Sequence, residues 1–428
     1  MTRPARPPRT TSVAAKLMAA LAGVWVVLGC LSLISRAGAG QSDFSVFYRT
    51  ALAIRGGVPA EFYRELDPPT GLRHCIAPSG TMLFSYMPWL SPRGAAAVWA
   101  LFNVGLLALA AWCLWRIFGH LERQRRIYQR TWLWAVVALA ILNTDNLQVG
   151  QFSLLFTTCW LVYLAVDNGL LAATMLMLPA AIKLYPAVLW AVPLGLRRYR
   201  QALWLIPAGV LVAFILPLPL YGGHLLEMWR GFFGTVLLGG EKSRMLDMIN
   251  PYLPTNQSLD VTLLRYLADL PRFSQAHPHF PHLSLDPGLV MGLILALKAC
   301  LLVVTGAAAW RLGSRAHTQP RWTALLMMAL WSATLYLLIP ETKARYAVYT
   351  FPAWLPLLAM VASRRHRPWA YAGACLLLVA GLASVLQIVQ NESRLYGPSC
   401  WATIAVWVML LRVAWQARVA ADTNRTHA

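Results

Sequence analysis

Acidic residues are scarce in this chain. Only 16 Asp and Glu stand against 37 Lys and Arg among 428 residues, and charged residues of both signs make up 12% of the sequence, against 58% hydrophobic residues. The basic residues occur in short runs between apolar stretches rather than on one continuous polar surface, which argues against nucleic acid as a partner. We also predict no large soluble domain, because charged residues are too few in every part of the sequence.

Cysteine is sparse as well, and its spacing is irregular. The seven cysteines are scattered without the close pairs of a metal site. Cys75 and Cys400 are both expected on the same side of a membrane, where a disulfide between them is one possibility. The segment 277–282 holds three histidines separated by other residues, with no acid or cysteine in it, so we predict no metal site there.

Apolar stretches of roughly 17–25 residues recur along the chain, as membrane-spanning helices require. We therefore predict an all-α, polytopic integral membrane protein with about twelve transmembrane helices and both termini in the cytoplasm. The first stretch resembles a signal peptide, but the many later crossings favour a retained anchor. The predicted crossings are 13–35, 95–118, 131–142, 152–166, 170–182, 184–196, 201–220, 287–310, 322–339, 346–362, 369–390 and 400–418.

Lys and Arg accumulate in the loops on one side of these crossings, which we assign to the cytoplasm. Few acids fall in those loops, namely Glu122, Asp167 and Asp422. Chemistry that needs carboxylates is therefore expected on the extracytoplasmic side of the cytoplasmic (inner) membrane. Two long loops lie on that side, about 36–93 and 221–286, within a single transmembrane domain. The first is expected to contain amphipathic helices on the membrane surface, including 81–90.

Asp43 follows the first predicted span and is surrounded by Phe44, Phe47 and Tyr48. A carboxylate at the boundary between water and lipid is suited to accept a proton from a sugar hydroxyl. Asp43 is therefore the candidate catalytic base, with Tyr48 as a candidate sugar contact. The alternative is that Ser42 or Asp43 only caps a helix at the interface, a role that does not exclude catalysis.

The polar stretch 143–151 separates two short predicted spans. Its amides and its one carboxylate can hydrogen-bond several hydroxyls, as carbohydrate recognition requires. We expect Asp145, Asn146 and Gln151 to contact a sugar or an acceptor. The alternative is an ordinary polar turn.

Asn256 and Gln257 lie in the second long loop, in a sequence that also fits a glycosylation sequon. We interpret them as an acceptor-facing or a structural element rather than as a glycan site. They are the weakest of the candidate contacts for an acceptor or a sugar.

Lys183 lies deep in an apolar region, where an ammonium group is costly unless it has an anionic partner. A phosphate is one candidate partner. The alternative is that the side chain extends to the membrane surface. Lys298 raises the same question in a later span.

A second basic motif, in segment 340–346, lies between two predicted spans. Lys343 and Arg345 can hold a lipid-linked phosphate, while Tyr346 packs against or hydrogen-bonds the head group. The alternative is a charged turn in which Glu341 pairs with one of the two cations.

Taken in order, these motifs resemble the GT-C superfamily of polytopic glycosyltransferases, and most closely glycosyltransferase family 87. The resemblance extends from about residue 43 to residue 346. It is carried by Asp43-Phe44 with Tyr48, by Gly150-Gln151, by Ile182-Lys183-Leu184-Tyr185-Pro186 and by Asn256-Gln257-Ser258-Leu259. One departure is the stretch before Tyr346, which differs from that of many relatives and weakens the assignment of mannose as the sugar.

The resemblance implies a GT-C-like fold and transfer of a sugar from a polyprenyl-phosphate donor to a hydroxyl of a glycan or glycolipid acceptor, with inversion. It implies that Asp43 is the base, and that Lys183 and Arg345 with Tyr346 contact the donor phosphate. We expect no metal or other cofactor, because cationic side chains can neutralise a monophosphate leaving group.

Two other classes of protein compete with this interpretation. A transporter or lipid flippase tends to show internal repeats and several charges near the membrane midplane, whereas this chain has no convincing repeat and only Lys183 and Lys298 as such charges. A membrane scaffold or polymerase subunit would use the outer loops for protein contacts. In that case Asp43→Asn would leave the activity of the complex intact.

Overall fold

The computed structural model of the chain describes residues 13–40, 42–57, 63, 74–125, 131–238, 249–314, 316, 318–362 and 394–416. These residues form helices and connecting turns. No strand occurs among them, and a single isolated β-bridge joins Ala268 and Leu285. The predicted all-α class is confirmed.

The helices follow one another closely along the described parts of the chain. The α-helices are α1 Val13–Gly38, α2 Asp43–Arg55, α3 Pro78–Thr81, α4 Pro92–Arg125, α5 Thr131–Leu142, α6 Thr144–Val149, α7 Ser153–Ala165, α8 Gly169–Ile182, α9 Ala191–Gly195, α10 Tyr199–Leu203, α11 Leu205–Val210, α12 Leu218–Tyr221, α13 Leu225–Gly231, α14 Leu259–Leu267, α15 Pro271–Ala276, α16 Pro287–Gly313, α17 Pro320–Leu338, α18 Phe351–Ala362 and α19 Pro398–Gln416. The 3-10 helices are Met82–Phe84, Met87–Trp89, Tyr185–Trp190, Gly222–His224 and Ala344–Thr350, and Leu211–Ile215 and Phe232–Leu237 are π-helical.

Within the described residues, six stretches are long and apolar enough to cross a membrane: Ala19–Gly38, Pro92–Leu121, Tyr199–Val236, Pro287–Gly313, Pro320–Leu338 and Pro398–Trp415. Each overlaps a predicted crossing, but Tyr199–Val236 continues past the predicted end at residue 220 into the segment predicted as the second long loop. The predicted short crossings coincide with α5, α7, α8 and the apolar stretch Tyr185–Gly195, and the crossing 346–362 coincides with the end of a 3-10 helix followed by α18. The predicted crossing 369–390 lies outside the described residues.

Helix α17 occupies the centre of the bundle. It is largely apolar, residues 322–337 are all buried, and it packs against α16, α18 and α19. Such an all-round apolar helix belongs in an interior rather than at a surface. A second group of helices, in which α4 packs against α1, α5 and α7, completes the core.

The bundle has two distinct ends. At one end α1 finishes beside the start of α4, where a Cβ on Gly38 would lie 2.5 Å from Nε of Arg93. At the other end Nη2 of Arg116 lies 3.9 Å, and Nη2 of Arg321 lies 3.4 Å, from the same carboxylate oxygen of Asp167. Because an α-helix rises 1.5 Å per residue, Arg93 and Arg116 of α4 lie about 35 Å apart. We call these the Asp43 end and the Arg116 end.

The first long loop differs from the prediction in one respect. Segment 81–90 was expected to be an amphipathic helix on the membrane surface, but it forms the two 3-10 turns Met82–Phe84 and Met87–Trp89. Pro88 cannot donate a backbone hydrogen bond, which interrupts a longer helix. Phe84 and Met87 are buried and pack into the main core.

Cys75 and Cys400 are both free thiols in the structure, and Cys400 is fully buried. The disulfide considered for this pair is therefore not formed.

Candidate active site

Asp43 is the first residue of α2, and its carboxylate is held by two partners that come from distant parts of the chain. Oδ2 of Asp43 lies 3.0 Å from Nη1 of Arg345, and Nε2 of Gln151 donates to the same oxygen. The Asp43 side chain is 16% exposed and that of Arg345 is 13% exposed. Ser42, not Asp43, takes the N-cap position, and its backbone N–H donates to Oγ of Ser45. The carboxylate of Asp43 is therefore available for chemistry.

Gln151 reaches Asp43 because the chain turns sharply between α6 and α7. Gly150 has a φ of +76°, a left-handed conformation that side chains rarely adopt. A Cβ at this position would lie 2.7 Å from Cβ of Phe44, so α2 and the turn approach too closely for any residue but glycine. The Gly150-Gln151 motif thus brings an amide donor to the candidate base.

Arg345 lies in the first turn of the 3-10 helix Ala344–Thr350 and joins two carboxylates. Besides pairing with Asp43, it donates its backbone N–H to Asp145. Burial tends to lower the pKa of Arg345, but the charges of Asp43, Asp145 and Glu341 with Tyr346 raise it overall. Its Nε is buried and has no hydrogen-bond partner among the described residues, so the guanidinium retains an unused donor.

Asp145, like Asp43, is half-buried. Burial raises the pKa of the Asp145 carboxyl, Arg345 opposes this shift, and the negative charge of Asp43 adds to it. The site therefore contains two carboxylates that share one arginine.

Lys183 follows the C-terminal end of α8 and is buried, at 8% exposure. Its Nζ lies 5.3 Å from the ring centre of Tyr346 and 5.9 Å from that of Tyr185. Within the residues that the structure describes, no carboxylate lies at ion-pair distance from this ammonium group. A buried cation held only by aromatic faces is a candidate site for an anion.

Tyr346 connects the two cations. The guanidinium carbon of Arg345 lies 5.8 Å from its ring centre, so Arg345 and Lys183 both lie within 6 Å of one ring. Tyr346 stacks on Tyr349 at a centroid distance of 5.5 Å, and the hydroxyl oxygens of Tyr349 and Tyr185 are 2.9 Å apart. A layer of aromatic rings and hydroxyls therefore lies beside both positive charges.

Lys343 does not join this cluster through an ion pair of its own. Its Nζ lies 2.6 Å from Oε1 of Glu341, so the local charged pair considered for segment 340–346 is formed with Lys343. Arg345 takes the long-range pairing with Asp43 instead. A contact between Lys343 and a phosphate stays a prediction.

The remaining predicted sugar contacts bond mainly to the protein itself. The Tyr48 hydroxyl donates to the Leu90 carbonyl at 2.9 Å. Asn146 is fully buried, and its Oδ1 accepts from the Ser153 backbone N–H at 3.0 Å. Asn256 and Gln257 are also fully buried and bond to backbone groups. Of the six predicted sugar contacts, Gln151 and Asp145 are therefore the ones that join the charged cluster.

Sequence reasoning missed Tyr349 and gave Tyr185 no role. Tyr185 stood within the quoted motif around Lys183, so its aromatic side chain beside a lone cation was an available signal. Tyr349 carried no comparable signal, because its place in the cluster depends on the 3-10 helix that stacks it on Tyr346. The partner of Lys298 was also missed: its Nζ lies 2.6 Å from Oδ2 of Asp260.

The all-α bundle of apolar helices, with a carboxylate and cations gathered at one end, defines a polytopic membrane protein with a charged cluster at one end of its helices. The sequence model of glycosyltransferase family 87 matches residues 77–340, more than half of the chain. The chain belongs to this family and is a membrane glycosyltransferase, as the resemblance implied. The matched region includes Asp145, Gln151 and Lys183 but neither Asp43 nor Arg345. No curated protein and no solved structure matches the chain significantly.

Proposed function

We propose that this glycosyltransferase moves a sugar, with mannose as the first candidate, from a polyprenyl-phosphate donor to a hydroxyl of a glycan or glycolipid. This proposal rests on one observation: a carboxylate and two cationic side chains lie together at the Asp43 end. A partly exposed carboxylate lies beside Arg345, and Arg345 and Lys183 both lie against one tyrosine ring. A transfer from a phosphate-linked donor requires both a base and an anion site.

In the proposed reaction Asp43 accepts the proton of the acceptor hydroxyl. The hydroxyl oxygen forms a bond to the anomeric carbon of the sugar as the bond from that carbon to the phosphate oxygen breaks. The electron pair leaves with the polyprenyl phosphate, which gains negative charge. Attack from the face opposite the phosphate inverts the anomeric configuration.

Lys183 and Arg345 are proposed to bind the phosphate and to stabilise the charge that develops on it. Among the described residues the ammonium of Lys183 has no carboxylate partner and the Nε donor of Arg345 is unused, which supports this role. A phosphate near Arg345 would lie close to the carboxylate that Arg345 already orients, so base and leaving group would be held by one guanidinium. Gln151 is proposed to fix the Asp43 carboxylate, and Tyr346 to pack against the head group.

We place this chemistry on the extracytoplasmic face of the cytoplasmic membrane. Arg116 and Arg321 cluster around Asp167 at the end of the bundle opposite the Asp43 end. Because arginines in short loops are retained in the cytoplasm, this distribution supports an outward-facing site.

The test is sugar transfer by purified protein in nanodiscs. Radiolabelled polyprenyl-phosphate-mannose is supplied with membrane lipid or glycan extracts, and wild type, Asp43→Asn and Asp269→Asn are compared. Asp269 is an exposed carboxylate of the second long loop and serves as the matched control. We expect kcat to fall roughly 10²–10⁴-fold in Asp43→Asn, the usual contribution of a general base, and to be unchanged in the control.

Three results would change the proposal. Wild-type activity in Asp43→Asn would remove Asp43 as the base. Transfer from another polyprenyl-phosphate sugar, but not from the mannose donor, would replace mannose. Absence of transfer from every polyprenyl-phosphate donor would contradict the proposed donor class.

A further inference from the structure

The segment that leads into Arg345 has little regular structure of its own. It runs from the end of α17 at Leu338 to the start of the 3-10 helix at Ala344. Its backbone polar groups must therefore find partners elsewhere, because buried backbone groups without partners are costly. They find them largely in Asn256 and Gln257, two residues that come from a different part of the chain.

Asn256 and Gln257 bind both backbone polar groups of Thr342. The Thr342 N–H donates to Oδ1 of Asn256 at 3.1 Å, and the Gln257 N–H donates to the Thr342 carbonyl at 2.8 Å. Nδ2 of Asn256 also donates to the Pro340 carbonyl at 3.4 Å. Both side chains are at most 2% exposed. Thr342 is thus held from two sides, three residues before Arg345.

The two residues are themselves fixed by further contacts. Oδ1 of Asn256 accepts a second hydrogen bond from the Ser258 N–H at 3.1 Å, and Oε1 of Gln257 accepts from the Ser399 N–H at 3.1 Å. The Asn256 carbonyl accepts from Nη1 of Arg265 at 3.0 Å.

Arg265 acts as the anchor of this region. It is fully buried, and its guanidinium donates to backbone carbonyls only: those of Pro251, Leu253, Asn256 and Leu395. A buried guanidinium satisfied in this way holds several loop segments in one arrangement. The support for Thr342 therefore extends to a rigid part of the molecule.

We propose that Asn256 and Gln257 are positioning residues of the active site: they hold Thr342, and through it place the Arg345 guanidinium against Asp43. This inference rests on the proposed function, in which Arg345 serves the reaction. It assigns the two amides a role without direct contact to sugar. Because reacting groups tolerate little misplacement, a shift of about 1 Å in this segment can cost on the order of 10²-fold in rate.

The experiment compares Asn256→Leu with Asn256→Asp. Leucine removes the acceptor for the Thr342 and Ser258 N–H groups, whereas aspartate keeps this acceptor, replaces the amide group that donates to Pro340 and adds a carboxyl group at a buried position. Gln257→Leu and Gln257→Glu test the anchor of Gln257 instead: its backbone N–H still binds Thr342 in both variants, but leucine removes the side-chain acceptor for the Ser399 N–H, whereas glutamate keeps it. Hydrogen–deuterium exchange of segment 338–346 is measured together with sugar transfer, and α16 serves as the internal exchange control.

In the leucine variants we expect faster exchange in segment 338–346, unchanged exchange in α16 and a loss of kcat/KM of about 10–100-fold per folded protein. The aspartate and glutamate variants should restore both properties to within a few fold of wild type. When Asn256→Leu is added to Arg345→Gln, kcat/KM should fall by less than about threefold further. The effects of residues that act through one another are not additive.

Several results would overturn the inference. Unchanged exchange in segment 338–346 of Asn256→Leu would contradict the support of Thr342, whether or not the protein transfers sugar. Faster exchange in segment 338–346 with full activity would show that the two residues stabilise the fold without positioning Arg345. A loss of kcat/KM in Asn256→Leu that adds in full to the loss in Arg345→Gln would show the same. Wild-type protein that transfers no polyprenyl-phosphate sugar would overturn the proposed function, and with it the catalytic part of this inference, while the exchange data would still decide the support of Thr342.

Discussion

Two ion pairs join distant parts of the chain, and they differ in what surrounds them. One is formed by Asp43 and Arg345, the other by Asp260 and Lys298. In the second pair Nζ of Lys298 lies 2.6 Å from Oδ2 of Asp260 and donates to the Leu338 carbonyl at 3.0 Å. The Asp260 side chain is 3% exposed and that of Lys298 is 15% exposed. The carboxylate of this pair is enclosed, and its two charges are matched one to one.

In the first pair the carboxylate is more open and the charges are not matched one to one. Asp43 is 16% exposed, whereas Arg345, at 13%, is about as exposed as Lys298. A second carboxylate lies near Arg345, and the ammonium of Lys183 has no carboxylate partner among the described residues. In an apolar protein, charged residues therefore indicate a binding site when their pairing is incomplete. A matched pair fastens helices together, whereas an unmatched cation beside a carboxylate is the arrangement expected of a site awaiting an anionic ligand.

The largest expected effect on stability breaks the enclosed pair. Asp260→Asn leaves the Lys298 ammonium in the protein interior without a counter-charge, which should destabilise the fold by about 3–5 kcal/mol. Asp260→Asn combined with Lys298→Met should recover much of that loss, because no charge is then left unpaired. Thermal unfolding of the detergent-solubilised protein measures both variants. If Asp260→Asn unfolds like wild type but loses sugar transfer, the enclosed pair belongs to the active site and the contrast between the pairs is wrong.

The next effect tests the unmatched cation. Lys183→Met should raise the KM for the polyprenyl-phosphate donor about 10–100-fold, the range that corresponds to losing one hydrogen bond from a charged group. Because Lys183 is buried without a carboxylate partner, its removal should leave thermal stability unchanged or raise it, the opposite of Asp260→Asn. Lys183→Arg keeps the charge and serves as the control, with a smaller rise in KM. An unchanged donor KM in Lys183→Met would exclude Lys183 from the phosphate site.

The smallest effect concerns the second carboxylate. Burial raises the pKa of Asp145 above its ordinary value of 3.8, so the folded state binds this proton more tightly than the unfolded state does. The protonated Asp145 carboxyl therefore favours the folded state. This contribution to stability is complete below the ordinary pKa of aspartate and is lost as pH rises through the pKa of Asp145 in the folded protein. Asp145→Asn should therefore melt at a slightly higher temperature than wild type near pH 7.5, and the difference should shrink as pH falls towards 4. If the difference in melting temperature instead grows as pH falls, the pKa of Asp145 is lowered in the folded state, not raised.

Several parts of the site were visible in the sequence because charge is rare in it. Asp43, Lys183 and Arg345 stood out as isolated ionisable residues beside aromatic residues in apolar surroundings. The structure brings all three to the same end of the bundle. Their partners were less predictable: Glu341 has two cations nearby in sequence, and only the packing gives it Lys343 and leaves Arg345 to Asp43.

Asn256 and Gln257 mark the limit of sequence reasoning more clearly. Their polarity and loop position suggested an acceptor-facing or a structural element, and nothing in the local sequence decides between the two. Their burial and their bonds to Thr342 depend on where α14 and α17 pack, and that packing joins segments far apart in the chain.

Hydropathy and the rarity of charge suffice to predict the helical class, the positions of most spans and the few charged residues on which chemistry can depend. Both are properties of short segments, so they can be recognised without knowledge of the fold. Helix packing determines which charges pair, how Gly150 lets Gln151 reach Asp43, and why Lys183 contacts tyrosine rings and no carboxylate among the described residues. Those contacts join residues from separate helices, so they exist only once the helices have packed.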